Sequence, residues 1–444
     1  MMLASDDTIV ALATPAGRGA VALVRLSGPR AHEIARQHLE PWPGKARQVT
    51  LCVVRDADGG VLDHALATVF TGPHSFTGED VVEIATHGGV VVPTLVAAAL
   101  VRSGAREALA GEFTRRAALN GKLDILQAEA IGDLIDAGSR AMQRTAIAQL
   151  DGGLSRRIDD LRAQVIGLEA LIAYDIDFPE EDDGPVSRER VEAALCELLN
   201  ALNNLLATAP AGELVRSGAV VVIAGAPNAG KSSLFNAMLG SARAIVTAVP
   251  GTTRDAIEAV LDTQPWPLRL VDTAGLRETD DLVERFGIEV SERYLESADV
   301  VLACGDTDAA VMEATAIISR LTTGEVIGVR TKADLATSEL STSVSAATGA
   351  GLSQLVGIIS RAISTRYSGI PMEAPVLTRE RQRYAVETAR DEVAAFGRAW
   401  DDGVPATVAA VHLRVATSAL ADVVGAVDIE DVLDRLFSSF CVGK

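Results

Sequence analysis

The sequence predicts a multidomain α/β protein: a mixed α/β N-terminal domain, then an all-α domain into which a doubly wound, mostly parallel sheet is inserted. Three observations predict it. A chain of 444 residues is too long for one ordinary core. Short Val-rich runs between turn signals fill the first 120 residues, and helical spacing of Leu, Ala and Ile then takes over. From 217 to about 368, apolar strands and helical stretches alternate, after which helical spacing returns.

Taken in order, residues 1–120 read as the α/β domain. Ala20 to Leu26 precedes the turn Ser27-Gly28-Pro29, and Val81 to Ala85 precedes His87-Gly88-Gly89. Residues 121–215 read as the first part of the helical domain, with helical spacing from Leu123 to Ala209. Within it, the acidic, Pro-bounded patch Phe178 to Pro185 reads as a solvated loop. Residues 216–370 form the inserted sheet module, and 371–444 the second helical part, with helices over Arg379 to Trp400 and Pro405 to Phe437. Two separate helical domains remain the rival arrangement. No fixed-period repeat is present.

Composition narrows the function. Hydrophobic residues at 48% and charged residues at 23% describe a globular chain. A net charge of −20 with 4% aromatics excludes a general nucleic-acid coat, so any RNA contact needs a local basic patch or a partner. The N-terminus, with Asp6 and Asp7, lacks a basic segment followed by an apolar one. The longest apolar stretch, Val90 to Val101, is broken by Pro93 and Thr94, so no membrane role is expected. Cys52, Cys196, Cys304 and Cys441 are scattered without C-x-x-C, which argues against a zinc or disulfide frame and for a cytoplasmic location.

The chemistry is written most plainly in the inserted module. An apolar run, Ala219 to Ala224, leads into Gly225-Ala226-Pro227-Asn228-Ala229-Gly230-Lys231-Ser232, and a helical run over Ser233 to Leu239 follows. This is a P-loop pattern in its required strand–loop–helix setting. Backbone amides from Asn228 to Ser233 would cradle phosphates, Lys231 would reach the β- and γ-phosphates, and Ser232 would hold Mg²⁺. Downstream, Gly251-Thr252-Thr253-Arg254-Asp255 offers, at Thr253, a second hydroxyl for Mg²⁺. Leu268 to Val271 ends in Asp272-Thr273-Ala274-Gly275, a carboxylate beside the metal and a glycine amide for the γ-phosphate. Val326 to Val329 leads into Arg330-Thr331-Lys332-Ala333-Asp334, where the Asp334 carboxylate can accept from N1–H and the 2-amino group of guanine. The usual pattern is N-K-x-D. Thr331 replaces the Asn and loses a side-chain amide that braces the base and the P-loop. Val344-Ser345-Ala346 reads as another strand end, whose amides would meet guanine O6. The ordered set resembles small GTPases. Residue 276 is Leu, which cannot orient water as a Gln would there.

The chain resembles the MnmE (TrmE) family of tRNA-modifying GTPases essentially end to end. The matching segments are Asp7 to Ala11, Thr14 to Gly19, Ser75 to Asp80, His87 to Gly89, Gly111 to Thr114, Lys122 to Asp124 and the C-x-G-K terminus Cys441-Val442-Gly443-Lys444. The resemblance implies a homodimer built through N-terminal folate-binding-like domains and a Ras-like G domain. It implies that Arg25, Glu83, Lys122 and Lys444 bind 5-formyl- or methylene-tetrahydrofolate. It implies K⁺ at Asn228, Thr247, Val249 and Thr252, in a GTP-binding loop that also contains Ala248, Pro250 and Gly251. It implies that Glu284 orients the attacking water and that Cys441 serves the modification but not GTP hydrolysis. With an FAD-dependent MnmG-like partner, the chain would place a carboxymethylaminomethyl or aminomethyl group on C5 of the wobble uridine of certain tRNAs. The alternatives are a GTP-switched ribosome-assembly factor, which would usually carry a basic tail, and a stand-alone folate enzyme with a regulatory GTPase.

Overall fold

A computed structural model describes residues 7–173, 187–241, 257–272, 294–335, 342–367, 375–425 and 443. The chain divides into two compact units, Met1–Gly132 with Val424–Lys444, and Asp133–Val423.

The first unit is a seven-stranded sheet, built from β1 (Ile9–Leu12), β2 (Val21–Ser27), β3 (Leu39–Glu40), β4 (Thr50–Arg55), β5 (Val61–Phe70), β6 (Val81–His87) and β7 (Arg106–Glu107). The order is β3-β4-β5-β6-β2-β1-β7, antiparallel except where β1 meets β7. Alternate residues face opposite ways along a strand. Val24, Leu26, Ala65, Ala67, Val82 and Ile84 therefore share one face, buried against Ile34 of α1 (Ala31–Arg36) and Val96 and Leu100 of α2 (Val91–Arg102). The opposite face leaves Val21, Leu51 and Leu66 exposed.

Three of the sequence segments noted above meet in an ionic cluster of this unit. Glu112, at the start of α3 (Glu112–Leu119), and Arg116 are both buried. Arg106 and Arg116 reach Glu112 at 2.7 and 3.1 Å, Arg116 also bonds Asp7, and Glu79 lies 3.1 Å from Arg116. Ser27 donates to Glu79 at 2.7 Å. Burial alone would raise the Glu112 carboxyl, but the hydrogen bonds from Arg106 and the Leu109 amide hold it below its usual value. A buried ion pair survives only when its oxygens are satisfied in this way.

The second unit carries α5 (Arg140–Leu150), α6 (Gly153–Leu171), α7 (Arg188–Leu206) and α8 (Ala209–Ser217) before the sheet module, and α12 (Glu380–Asp401) and α13 (Ala406–Val424) after it. α4 (Ile125–Asp136) precedes them in the chain. The module itself contains β8 (Ala219–Gly225), α9 (Lys231–Ser241), β9 (Ile257–Leu261), β10 (Leu268–Asp272), β11 (Val300–Gly305), α10 (Asp308–Ile318), β12 (Glu325–Arg330) and α11 (Leu352–Arg366). Its five strands run β12-β11-β8-β10-β9, all parallel except the edge strand β9. Central parallel strands are covered on both faces, so β8 and β11 are apolar and buried along their length rather than alternating.

α7 packs on α12 across the insertion, with Arg188 2.9 Å from Asp401. The helical segments before and after the module thus belong to one helical body, as the insertion reading expects. The module's return crosses α8 at 376–378. Thr208 accepts from the Leu377 amide at 3.2 Å, Arg216 donates to the Thr378 carbonyl at 2.8 Å, and Gln149 donates to the Val376 carbonyl at 3.1 Å. A Cβ on Gly212 would sit 2.0 Å from the Leu377 carbonyl oxygen, so only glycine lets these backbones meet.

One expectation changes. Val344 to Ala346 does not end a strand among the described residues: Ser343 forms an isolated bridge to Arg330. The segment 178–185 lies outside the described residues. Val91–Arg102 is a short apolar helix, too short to span a membrane, and α13 is the one described helix long and apolar enough to cross one. Its Ala409, Leu413, Ala416 and Leu420 are buried, as in a core helix.

Candidate nucleotide-binding site

The site forms where the parallel strands β8, β10 and β11 end and α9 begins. Ligands of doubly wound sheets bind at the carboxyl ends of such strands. Gly225 has φ +145°, and a Cβ there would lie 2.3 Å from the Cys304 carbonyl oxygen. The loop can therefore leave β8 against β11 only with glycine at that position. Asn228 takes a left-handed φ of 63°, which Asn tolerates better than most residues. Lys231 folds back on the loop and donates to the Gly225 and Ala226 carbonyls at 2.9 Å each. Ser232 and Ser233 follow in the first turn of α9, where the helix presents unpaired amides. Asp272 ends β10 as a buried carboxylate. Burial pushes the Cys304 thiol up to about 12, so this buried cysteine stays protonated.

Beside the loop lies a cavity of about 540 Å³, lined by Gly230, Ser233, Leu234, Asn236, Ala237, Thr331, Lys332, Asp334, Val344, Ala346 and Ala347. Its size suits a heterocyclic base. Ser345 donates to Asp334 at 2.6 Å, and this bond holds the exposed Asp334 carboxyl below its usual range. Lys332 donates to the Asn228 carbonyl at 3.0 Å and lies 3.3 Å from Asp306, so its stem crosses the P-loop.

Two sequence expectations are corrected here. Thr331 does brace the P-loop: its hydroxyl is 2.7 Å from the Ala229 carbonyl and 3.0 Å from that of Gly305. The Ser345 amide, expected at a base oxygen, is instead engaged with the Ala350 carbonyl at 3.0 Å. Ser233, expected at the phosphates, also lines this cavity, and sequence reasoning missed Asn236 and Ala237 beside it. Their i+3, i+4 spacing from Ser233 on α9 is the signal that would have found them.

In the first unit, Arg25 and Glu83 face each other in the β2–β6 register and form a forked pair, with bonds of 3.0 and 2.7 Å to one Glu83 oxygen. The Arg25 guanidinium lies 5.4 Å from the Phe76 ring centre and 5.7 Å from that of Phe113. Lys122 donates to the Pro73 carbonyl at 3.0 Å. Thr247, Ala248, Val249, Pro250, Gly251, Thr252, Thr253, Thr273, Ala274, Gly275, Glu284, Cys441 and Lys444 lie outside the described residues. Among the described residues, no group of three or more His, Cys, Asp or Glu is placed to hold a metal.

Comparison with known proteins agrees with this geometry. The family model "GTP-binding protein TrmE N-terminus" matches residues 8–122, and "MnmE helical domain" matches 125–441. Proteins named tRNA modification GTPase MnmE align along their whole length. That of Azorhizobium caulinodans is 44% identical, covering 100% of both chains. That of Sodalis glossinidius is 42% identical, again over 100% of both, and that of Moorella thermoacetica is 38% identical over 99% of this chain and 100% of its own. Among solved structures, the G domain of the T. maritima FeoB iron transporter is 25% identical over 33% of this chain and 98% of that one, at a TM-score of 0.25 too low to carry weight. With the P-loop, the Asp334 pocket and full-length identity in agreement, the chain belongs to the MnmE family of tRNA modification GTPases.

Proposed function

We propose that this chain hydrolyses GTP to GDP and phosphate. With an FAD-dependent partner, it would use that cycle to install a carboxymethylaminomethyl or aminomethyl group on C5 of the wobble uridine of certain tRNAs. The observation that carries the proposal is a P-loop at the β8–α9 junction beside a base-sized cavity containing Asp334, in a chain of this family. The Asp334 carboxylate would accept from guanine N1–H and the 2-amino group, which adenine cannot offer. Lys231 would exchange loop carbonyls for phosphate oxygens, and the α9 N-terminus would favour the negative charge.

The donor set fits hard cations. Ser232 opens α9 and the Asp272 carboxylate is buried at the end of β10, an oxygen set suited to Mg²⁺. Ser232 and Thr253 would hold Mg²⁺; Asn228, Thr247, Val249 and Thr252 would hold K⁺. Such cations neutralise charge on the transferred phosphoryl group. With Leu at 276, positioning of the water falls to Glu284. In the first unit, the Arg25–Glu83 pair, with the Arg25 guanidinium near the Phe76 and Phe113 rings, suits a flat, polar-edged heterocycle, and with Lys122 and Lys444 would hold a tetrahydrofolate derivative. Cys441 would serve the modification step. We also place the working molecule in the cytoplasm as a homodimer, and divide it at about 120, 215 and 370.

Two measurements test this. Purified protein with GTP and Mg²⁺ should release phosphate, faster in K⁺ than in Na⁺ at equal ionic strength; equal rates would remove K⁺ from the site. Mass spectrometry of tRNA nucleosides from cells lacking the chain should show the wobble-uridine modification gone, and an unchanged profile would refute the tRNA role.

A further inference from the structure

We infer that Thr331 makes this site indifferent to the N7 position of guanine, so that the base is selected through its Watson–Crick edge and O6 alone. The inference rests on the GTP reading above and concerns how this chain departs from N-K-x-D. Guanine N7 is an acceptor, so recognising it takes a donor. An asparagine amide has two N–H donors and can hold a P-loop carbonyl while offering a second proton to the base. A threonine hydroxyl has one. Here the Thr331 hydroxyl is buried and lies 2.7 Å from the Ala229 carbonyl and 3.0 Å from the Gly305 carbonyl. Both partners only accept, so the single proton is spent on the protein. Lys332 is drawn away as well, to the Asn228 carbonyl at 3.0 Å and to Asp306. The Watson–Crick side is built differently: Asp334 is oriented by the Ser345 hydroxyl at 2.6 Å. Thr331 thus keeps the structural half of the asparagine's work and gives up the base-reading half. Asn236 on α9 carries a side-chain amide in the cavity wall and is the competing source of an N7 contact.

Calorimetric titration of the full-length protein with GDP and with 7-deaza-GDP, in Mg²⁺, tests this directly. In 7-deaza-GDP a C–H replaces N7 and the Watson–Crick edge is unchanged. The two dissociation constants should agree within about twofold, less than one lost hydrogen bond usually changes them. Thr331→Asn should create a preference for GDP of roughly two- to tenfold, the effect of one net hydrogen bond. Thr331→Ser should keep the wild-type ratio, and Thr331→Val should weaken both ligands alike because the P-loop brace is lost. If the wild-type chain binds 7-deaza-GDP fivefold or more weakly than GDP, the inference is wrong; abolition of that preference by Asn236→Ala would name the donor overlooked. If neither ligand binds, the GTP reading itself fails, an outcome distinct from selective loss of the deaza analogue. The wild-type ratio decides the matter even if a variant does not fold.

Discussion

At the scale of single residues, Asp334 is the most informative side chain in the base pocket. It lines the cavity and accepts from the Ser345 hydroxyl at 2.6 Å. Asp334→Asn turns an acceptor pair into a donor and an acceptor, which suits xanthine rather than guanine. GDP binding should fall about a hundredfold or more while binding of xanthosine diphosphate rises, since a site built for hydrogen bonds rejects a mismatched partner strongly. Titration of the variant with both nucleotides checks this. Glu284→Ala should lower GTP turnover and leave nucleotide affinity nearly intact, and lost affinity would point instead to a structural part. Motif spacing made the places of some residues legible: Gly225 to Ser232 lie at the β8–α9 junction, Asp272 ends β10 and Asp334 follows β12, as the sequence reading had them. The Thr331 brace was not legible, because it depends on two carbonyls, at 229 and 305, that only the folded sheet brings within reach. Nor could sequence pair Arg25 with Glu83, a contact set by the β2–β6 register across 58 residues.

At the scale of elements, continuous apolar runs made β8 and β10 readable, and helical spacing made α12 readable. Val344 to Ala346 misled because a short apolar step beside a turn imitates a strand end, whereas its neighbour Ser343 makes only a bridge. The α8 crossing was invisible, since small and polar residues there satisfy backbone groups rather than repeat a pattern. It carries its own prediction. Gly212→Ala would drive a methyl into the Leu377 carbonyl, parting α8 from the 376–378 segment. The expected loss is about 1–3 kcal/mol in the second unit, the usual cost of overpacking. Thr208→Val should cost about 1–3 kcal/mol by leaving the Leu377 amide without its side-chain partner. Guanidinium unfolding of both variants measures this, and wild-type stability would show that the crossing bears no strain.

At the scale of the whole molecule, the two units differ in how their carboxylates are held. The first unit keeps Asp7, Asp63 and Glu112 below their usual range. In each case hydrogen bonds outweigh a burial that alone would raise the carboxyl: Arg106 and Arg116 act on Asp7, the His87 amide and ring on Asp63, and Arg106 on Glu112. In the second unit, Asp334 and Glu189 are also lowered, but both are exposed and screened by solvent. A carboxyl lowered by folding contributes stability that is present above its unfolded value, near 4, and lost as the pH falls through its folded value. Acid should therefore weaken the first unit ahead of the second, below about pH 4. The tryptophans give a readout, because Trp42 belongs to the first unit and Trp266 and Trp400 to the second. A variant keeping only Trp42 should show a guanidinium midpoint that drops between pH 5 and pH 3 by more than that of a variant keeping only Trp266. Glu112→Gln removes one charge from a buried pair and should cost the first unit about 3–5 kcal/mol at pH 7. It should also flatten the acid dependence of the Trp42 signal, because the proton that acid would add is already mimicked. Equal acid slopes for both reporters would show that the cluster around Glu112 does not set the acid limit of its unit.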